Sequence, residues 1–373
     1  MTTAVLPVND SPAATDSLPV KVSVALADKL PAADWALWSQ WQQTNPALAS
    51  PYFRPEFTQA VSRVRDDVEI AILKRAGQTV GLLPFQRGPL NIGKPVGGKL
   101  CDFHGCVSTA DFTFDPRQVL AGARLATWDF EHVPASQVSF APFATKRDQA
   151  PGLELKDGYA GWCELRREQG SQVVSKTMQK VRKLAREQGD LTLELQSTSP
   201  EVLETLLAWK SAQYELTGLA DVFSFPWTRA LIEQLQAPTG GEFGGWMSVL
   251  RAGPRIVAIC YSLRSRNVMH AWFTAYDRDL AAYSPGLVMF LKMTEAWPQV
   301  GVTRFELGKG DERFKWNLAT DSQELMEGTV ARPTMATWLR SGWRATRGLL
   351  EQSSTTKFPG NLLQPIRRWL AYR

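Results

Sequence analysis

Apolar and polar positions alternate with period two over KVSVAL, residues 21–26, which predicts a strand. The spacing then lengthens around Trp35, Leu37, Trp38 and Trp41 and again over Pro55–Arg65, as expected for two helices. VEIAILKRAGQTVGLLPFQRG reads as two strands joined by a hairpin turn centred on Ala76–Gly77. A glycine-rich stretch, PLNIGKPVGGKLCDFHGC, precedes a predicted helix PRQVLAGARLATW (116–128) and a predicted strand QVSFAPF (137–143). This half is mixed α/β.

The second half repeats that order more clearly. Helices are predicted over Ser171–Gln188, Pro200–Thr217 and Pro226–Gln236, with a strand LTLEL after the first. Three strands follow, GWMSVLRAG, RIVAICYSLRSR and VMHAWFTAYD. The stretch SPGLVMFLKMTEAWPQVGVTRFELGKGDERFKW, residues 284–316, then predicts a helix, one more strand and a charged loop. Strands joined by short turns imply an antiparallel meander, and the helix after them implies a crossover. Similar element order in both halves suggests a duplicated α+β fold with mixed central sheets flanked by helices.

A chain of 373 residues exceeds the usual size of one domain. We expect a disordered leader over 1–20, a first domain over 21–155, a second over 156–332 and a basic tail over 333–373. Its 44% hydrophobic and 21% charged residues fit a globular protein. The first twenty residues contain no Lys or Arg and no sustained apolar run, unlike a secretory signal. No stretch reaches the ~18 apolar residues of a membrane span. Four scattered cysteines, Cys101, Cys106, Cys163 and Cys260, suit a reducing compartment, so a cytoplasmic location is expected. Cys101, His104 and Cys106 lack the second Cys/His pair that a closed zinc site needs, and no metal is expected.

The segment YSPGLVMFLKMTEAW…GVTRFELGKGDERFKWNLATD resembles the acetyltransferase family related to bacterial cellulose-biosynthesis proteins of the CelD type, within the GNAT superfamily. The pattern is Ser-Pro-Gly at a helix start, a strand with an acidic residue, Gly-x-Gly-Asp-Glu, an aromatic followed by Lys, and Trp. The resemblance runs from about Gln172 to Thr329. It implies two GNAT-like domains in tandem, as in the related Fem-type peptidoglycan aminoacyltransferases. The implied activity is transfer of an acyl group, from acetyl-CoA or another acyl-CoA, to an amine or hydroxyl of a sugar or cell-surface polysaccharide precursor. Fem-type transfer from aminoacyl-tRNA and a non-catalytic scaffold of a polysaccharide synthase are the alternatives. Typical GNAT enzymes carry Gln/Arg-x-x-Gly-x-Gly/Ala at the pyrophosphate loop, whereas this chain has RDLAAYSPGL, with Arg278 and Gly286 but no second glycine.

Several residues then become candidates. Ser284 as N-cap, Pro285 and Gly286 make an ordinary helix start, but they also present free backbone N–H groups to an anion, with Arg278 and Leu287 beside them as donor-binding residues. In the glycine loop a solvated turn is the plain reading. The functional reading makes Asp311 the base and Lys315 the residue that orients or neutralises the substrate, with Glu312 and Trp316 also at the substrate. Glu306 alternates with Leu307 and either enters the cleft or faces outward. Tyr283 is the expected proton donor to a leaving thiolate, by analogy with GNAT mechanism. Lys180, Arg182 and Lys183 lie on a cation-rich helix that is either a solvated face or a phosphate contact. His270 and Tyr276 share a strand face with Trp272 and Thr274, which sheet packing explains. The tail from Trp338 carries seven basic residues against Glu351 and suits either peripheral contact with the inner membrane or a synthase complex, or docking on its own protein.

Overall fold

A computed structural model of the chain describes residues 19–236 and 241–332. The basic tail and nearly all of the leader lie outside the described residues. The first half runs β1 (Lys21–Leu26), α1 (Ala32–Thr44), α2 (Pro55–Val64), β2 (Val68–Arg75), β3 (Gln78–Gly88), β4 (Ile92–Lys94), β5 (Val107–Ser108), α3 (Pro116–Gly122), β6 (Thr127–Pro134) and β7 (Ala144–Glu154). The second runs α4 (Gly158–Glu168), α5 (Val173–Gln188), β8 (Leu191–Glu194), α6 (Pro200–Thr217), α7 (Pro226–Leu235), β9 (Phe243–Ala252), β10 (Arg255–Ser265), β11 (Val268–Tyr276), α8 (Pro285–Ala296), β12 (Arg304–Glu306), α9 (Arg313–Leu318) and β13 (Asp321–Ala331).

Local chemistry accounts for many of these boundaries. Ala76 and Gly77 both have positive φ, 51° and 83°, the geometry of a tight two-residue hairpin turn between β2 and β3. The Ser199 hydroxyl accepts the Val202 N–H at the start of α6, and Gly218 ends that helix in a left-handed conformation. Two expectations fail. The helix expected over 116–128 stops at Gly122, because Arg124 takes a positive φ of 55° and Trp128 is buried within β6. The segment expected as a strand at 137–143 is a 3-10 turn, and Pro142 within it has no N–H to give a ladder.

The strands form one sheet in the order β1-β2-β3-β4-β6-β13-β7-β12-β11-β10-β9-β8, with β5 paired to β3. That order is symmetric about the β13–β7 pair. Each side holds an antiparallel meander followed by a parallel pair, β4 with β6 on one side and β11 with β12 on the other. The last strands are exchanged: β7 of the first half pairs with β12, and β13 of the second pairs with β6. The sequence hid this because β7 and β13 carry Lys146, Arg147, Asp148, Glu324 and Glu327 where a clear alternation would otherwise show.

Helices cover both faces of the second half's sheet. Leu203, Leu206 and Leu207 of α6 pack with Phe273 and Ala275 on one face. Val288, Met289 and Leu291 of α8 pack with Leu184 of α5 and Met269 on the other. No helix among the described residues is long and apolar enough to cross a membrane.

Candidate active site

β11 and β12 pair in parallel at three positions, Val268–Arg304, Met269–Phe305 and His270–Glu306, and there β12 ends. β11 continues to Tyr276 with no strand on that edge among the described residues. Its other edge is irregular. Tyr261 faces Phe273 and Ser262 faces Ala271, so Trp272 is an extra residue, a bulge of the kind that frees backbone beside a site. The resulting fork opens a cleft of about 600 Å³ whose walls include Asp102, Lys210, Trp272, Tyr276, Gly286 and Lys315.

One end of the cleft is the first turn of α8. Ser284 has a left-handed φ of 51° and its hydroxyl makes no cap, contrary to expectation. The hydroxyl instead receives a hydrogen bond from Lys180 Nζ at 2.5 Å, which brings α5 to this helix end. The N–H groups of Leu287 and Val288 bond to the Ser284 carbonyl and Pro285 has none, so the Gly286 amide is left without a partner among the described residues. A Cβ at Gly286 would meet Tyr276 at 3.7 Å, ordinary contact, so the glycine leaves space rather than relieving strain. A free amide at a helix N-terminus with a lysine alongside fits the phosphates of a nucleotide-bearing donor.

Other expected donor residues lie elsewhere. Arg278 is exposed and does not line the cleft. Tyr283 also lies off the cleft wall. Its hydroxyl donates to Glu187 at 2.8 Å, Lys183 sits over its ring at 5.4 Å, and the adjacent carboxylate raises its pKa. The expected proton donor is thus engaged outside the cleft. Arg182 is exposed on α5.

The floor of the fork is a chain of three ionisable groups. His270 Nε2 lies 2.8 Å from Asp102 Oδ2, and His270 Nδ1 lies 3.3 Å from Glu306 Oε2. Arg304 Nε stands 3.5 Å from the second Glu306 oxygen. The His270 side chain is fully buried and that of Glu306 is 6% exposed, while Asp102 keeps 29% and faces the cleft. Burial alone would strip His270 of its proton, yet hydrogen bonds to the two carboxylates raise its pKa to about 9. Desolvation works against ionisation of Asp102 and Glu306. His270 outweighs it in both cases and holds both carboxyls below their ordinary range.

Asp102 reaches this place from the first half. Trp272 Nε1 donates to the Leu100 carbonyl at 2.9 Å, pinning the CDFHGC segment against β11. Phe103 and Tyr52 meet the imidazole edge-on at centroid distances of 5.8 and 5.0 Å. Within that segment Cys101 Sγ bonds to the Phe103 carbonyl, and His104 Nε2 accepts the Glu131 and His132 amides. No cluster of His, Cys, Asp and Glu suited to a metal ion occurs among the described residues.

The glycine loop closes over Asp102. Gly308 has φ 70°, which favours glycine, and a Cβ there would press on Asp102 Oδ2 at 3.2 Å. Glu312 and Lys315 line the cleft, with Lys315 Nζ 3.2 Å from Glu312 and 2.9 Å from the Lys309 carbonyl. Lys309 is tied to Asp148 at 2.7 Å and to Glu327 at 3.3 Å. Asp311 is exposed and off the cleft wall, as is Trp316, which is 39% exposed on α9. The expected base is therefore not at the fork.

Residues 172–316 match the family described as acetyltransferase (GNAT) domain. No curated protein matches the chain in sequence. Among solved structures, the chain is similar to FemX, at 10% identity over 73% of this chain and 90% of that one (TM-score 0.48). It is similar to a tandem GNAT protein from the clavulanic acid biosynthesis pathway, at 11% identity over 84% of this chain and 99% of that one (TM-score 0.48). L-PGS from Bacillus licheniformis gives 9% identity over 83% and 95% (TM-score 0.49). Residues 172–316 thus carry a GNAT acetyltransferase domain, and the sheet repeats the same strand arrangement on either side of the β13–β7 pair.

Proposed function

We propose that the chain transfers an acyl group from acetyl-CoA or another acyl-CoA to an amine or hydroxyl of a sugar or cell-surface polysaccharide precursor. The observation that carries this reading is the chain Asp102–His270–Glu306, which opens through Asp102 on a cleft whose other end is a helix N-terminus with a spare amide. Acyl-CoA, when bound, supplies a thioester carbonyl ready for attack. The Gly286 amide and Lys180 would hold its phosphates.

Of the three ionisable groups at the fork, Asp102 is the one that meets the acceptor. Glu306 keeps a proton on His270 Nδ1, so in the neutral ring Nε2 is free to accept. Asp102 takes the acceptor's proton and passes it across 2.8 Å to Nε2. Amides along the unpaired edge of β11 donate to the carbonyl oxygen. The test is acetyl-CoA-dependent release of free thiol in the presence of amino sugars. Wild type should release it and Asp102→Asn should not, and equal release by both would reject the reading.

The cations of α5 support a second reading. Lys176, Arg182, Lys183 and Arg186 are exposed on the helix whose Lys180 donates to Ser284 of the cleft wall, a row suited to the phosphates of an aminoacyl-tRNA donor. Binding of tRNA that weakens steeply with salt would favour it over acyl-CoA.

A further inference from the structure

Three lysines line the cleft: Lys210, Lys309 and Lys315. Two are neutralised within the fold, Lys309 by Asp148 and Glu327 and Lys315 by Glu312. Lys210 differs. Its ammonium donates to the neutral amide of Gln213 at 3.0 Å and lies over the Tyr214 ring at 5.0 Å, and no carboxylate pairs with it among the described residues. Partial loss of water disfavours its charge, so it gains from any anion the cleft admits.

Its position assigns the side from which that anion arrives. Lys210 stands on α6, whose leucines pack with Phe273 and Ala275 on one face of the sheet, whereas α8, with the spare Gly286 amide, packs on the other. The cleft joins both, because Lys210, Gln213 and Gly286 all line it through the gap beside β11. Donor phosphates at α8 therefore leave Lys210 at the opposite mouth.

We infer that Lys210, with Gln213 one turn away, is a specificity residue for an acceptor that carries an anionic group, a phosphate or carboxylate, near its nucleophilic amine or hydroxyl. The assignment rests on the transfer reading for its division of the cleft into donor and acceptor ends. A lysine–phosphate hydrogen bond replacing one to a neutral amide is worth ~10-fold or more in affinity.

Glucosamine and glucosamine 6-phosphate are a matched probe pair, the same amine with and without the anion. Calorimetry on the full chain should give glucosamine 6-phosphate the tighter binding by ~10-fold. Lys210→Gln should abolish that preference and Lys210→Arg should keep it. Acetyl-CoA affinity, measured separately, should be the same in wild type and Lys210→Gln, whereas a weakened donor would assign Lys210 to donor phosphate and overturn the inference. Equal or absent binding of the two sugars by wild type, or a preference that survives Lys210→Gln, would also overturn it. Gln213→Leu provides a second, milder variant should Lys210→Gln fold poorly, and an unchanged preference there with an unfolded Lys210→Gln counts against the assignment. Absence of acetyl-CoA binding by wild type, beside an intact phosphate preference, would instead sink the transfer reading alone.

Discussion

Asp102 and His270 are 168 residues apart in sequence and 2.8 Å apart in the fold. One comes from an irregular loop of the first half and the other from the last regular pair of a strand in the second. Their meeting makes the candidate site a joint product of both halves.

Asp102→Asn keeps the shape of the side chain and removes its capacity to take a proton. Turnover should fall by ~10²-fold or more with donor affinity unchanged, the signature of a lost general base. Asp311→Asn should stay within about twofold of wild type, since that side chain is exposed and off the cleft wall. Steady-state kinetics of the two variants side by side decides between the residues, and a large loss in Asp311→Asn alone would restore the sequence-based assignment.

Proton transfer to His270 needs the neutral ring. With its pKa at about 9, the reactive fraction grows tenfold per pH unit below that value, so kcat/KM should rise with pH and level off near 9. Glu306→Gln removes one of the two carboxylates holding the imidazolium and should move the inflection to lower pH. A flat profile between pH 6 and 9 would exclude the relay.

Stability should carry the same signature with the opposite trend. Folded His270 titrates near 9 against an ordinary 6.5, so its contribution is complete below about pH 6.5 and is lost as pH rises through 9. Asp102 and Glu306 are shifted down, and their contribution is lost on acidification below their ordinary values of 3.8 and 4.5. Thermal melting from pH 5 to 9.5 should show an alkaline decline in wild type that is smaller in Asp102→Asn. Parallel curves would mean that the pair does not shift the His270 titration.

Gly286→Val puts a branched side chain where Tyr276 is the nearest neighbour, at 3.7 Å from the added Cβ. The domain should stay folded while acetyl-CoA binding weakens by ~10-fold or more, because the amide can no longer be closely approached. Melting temperature and donor affinity measured together separate this from simple unfolding.

Gly328 lies in β13 where it crosses into the first half's sheet, and a Cβ there would fall 2.0 Å from the Phe143 carbonyl oxygen. Gly328→Ala should cost ~1–3 kcal/mol through forced displacement of backbone. Chemical denaturation with an unchanged m-value and a lowered midpoint is the expected result.

Much of the second half was legible because its strands alternate and its helices carry their own stop signals, Ser199 and Gly218 among them. The start of α8 was legible for a similar reason, since Pro285 marks a first helical position. Glu306 was visible as a candidate and His270 only as a packed strand residue, because their meeting needs the parallel register of β11 and β12, which pattern does not encode. Asp102 gave no signal at all, since nothing local to CDFHGC announces a partner in another half of the chain. Asp311 is exposed and off the cleft wall, which pattern could not foretell, because a charged glycine loop looks alike whether its carboxylate points inward or into water.

The exchange of β7 and β13 also bears on how the protein comes off the ribosome. The first half emerges with an unfinished sheet whose missing neighbour, β13, ends at Ala331, some distance down the message. At ordinary translation rates of about 5–20 residues per second that edge stays open for roughly 10–40 s, exposed to any passing strand. Cleavage of the gene after Glu154 would accordingly yield two fragments, each holding the strand that its counterpart lacks, and recovery of a native fold would depend on their finding one another.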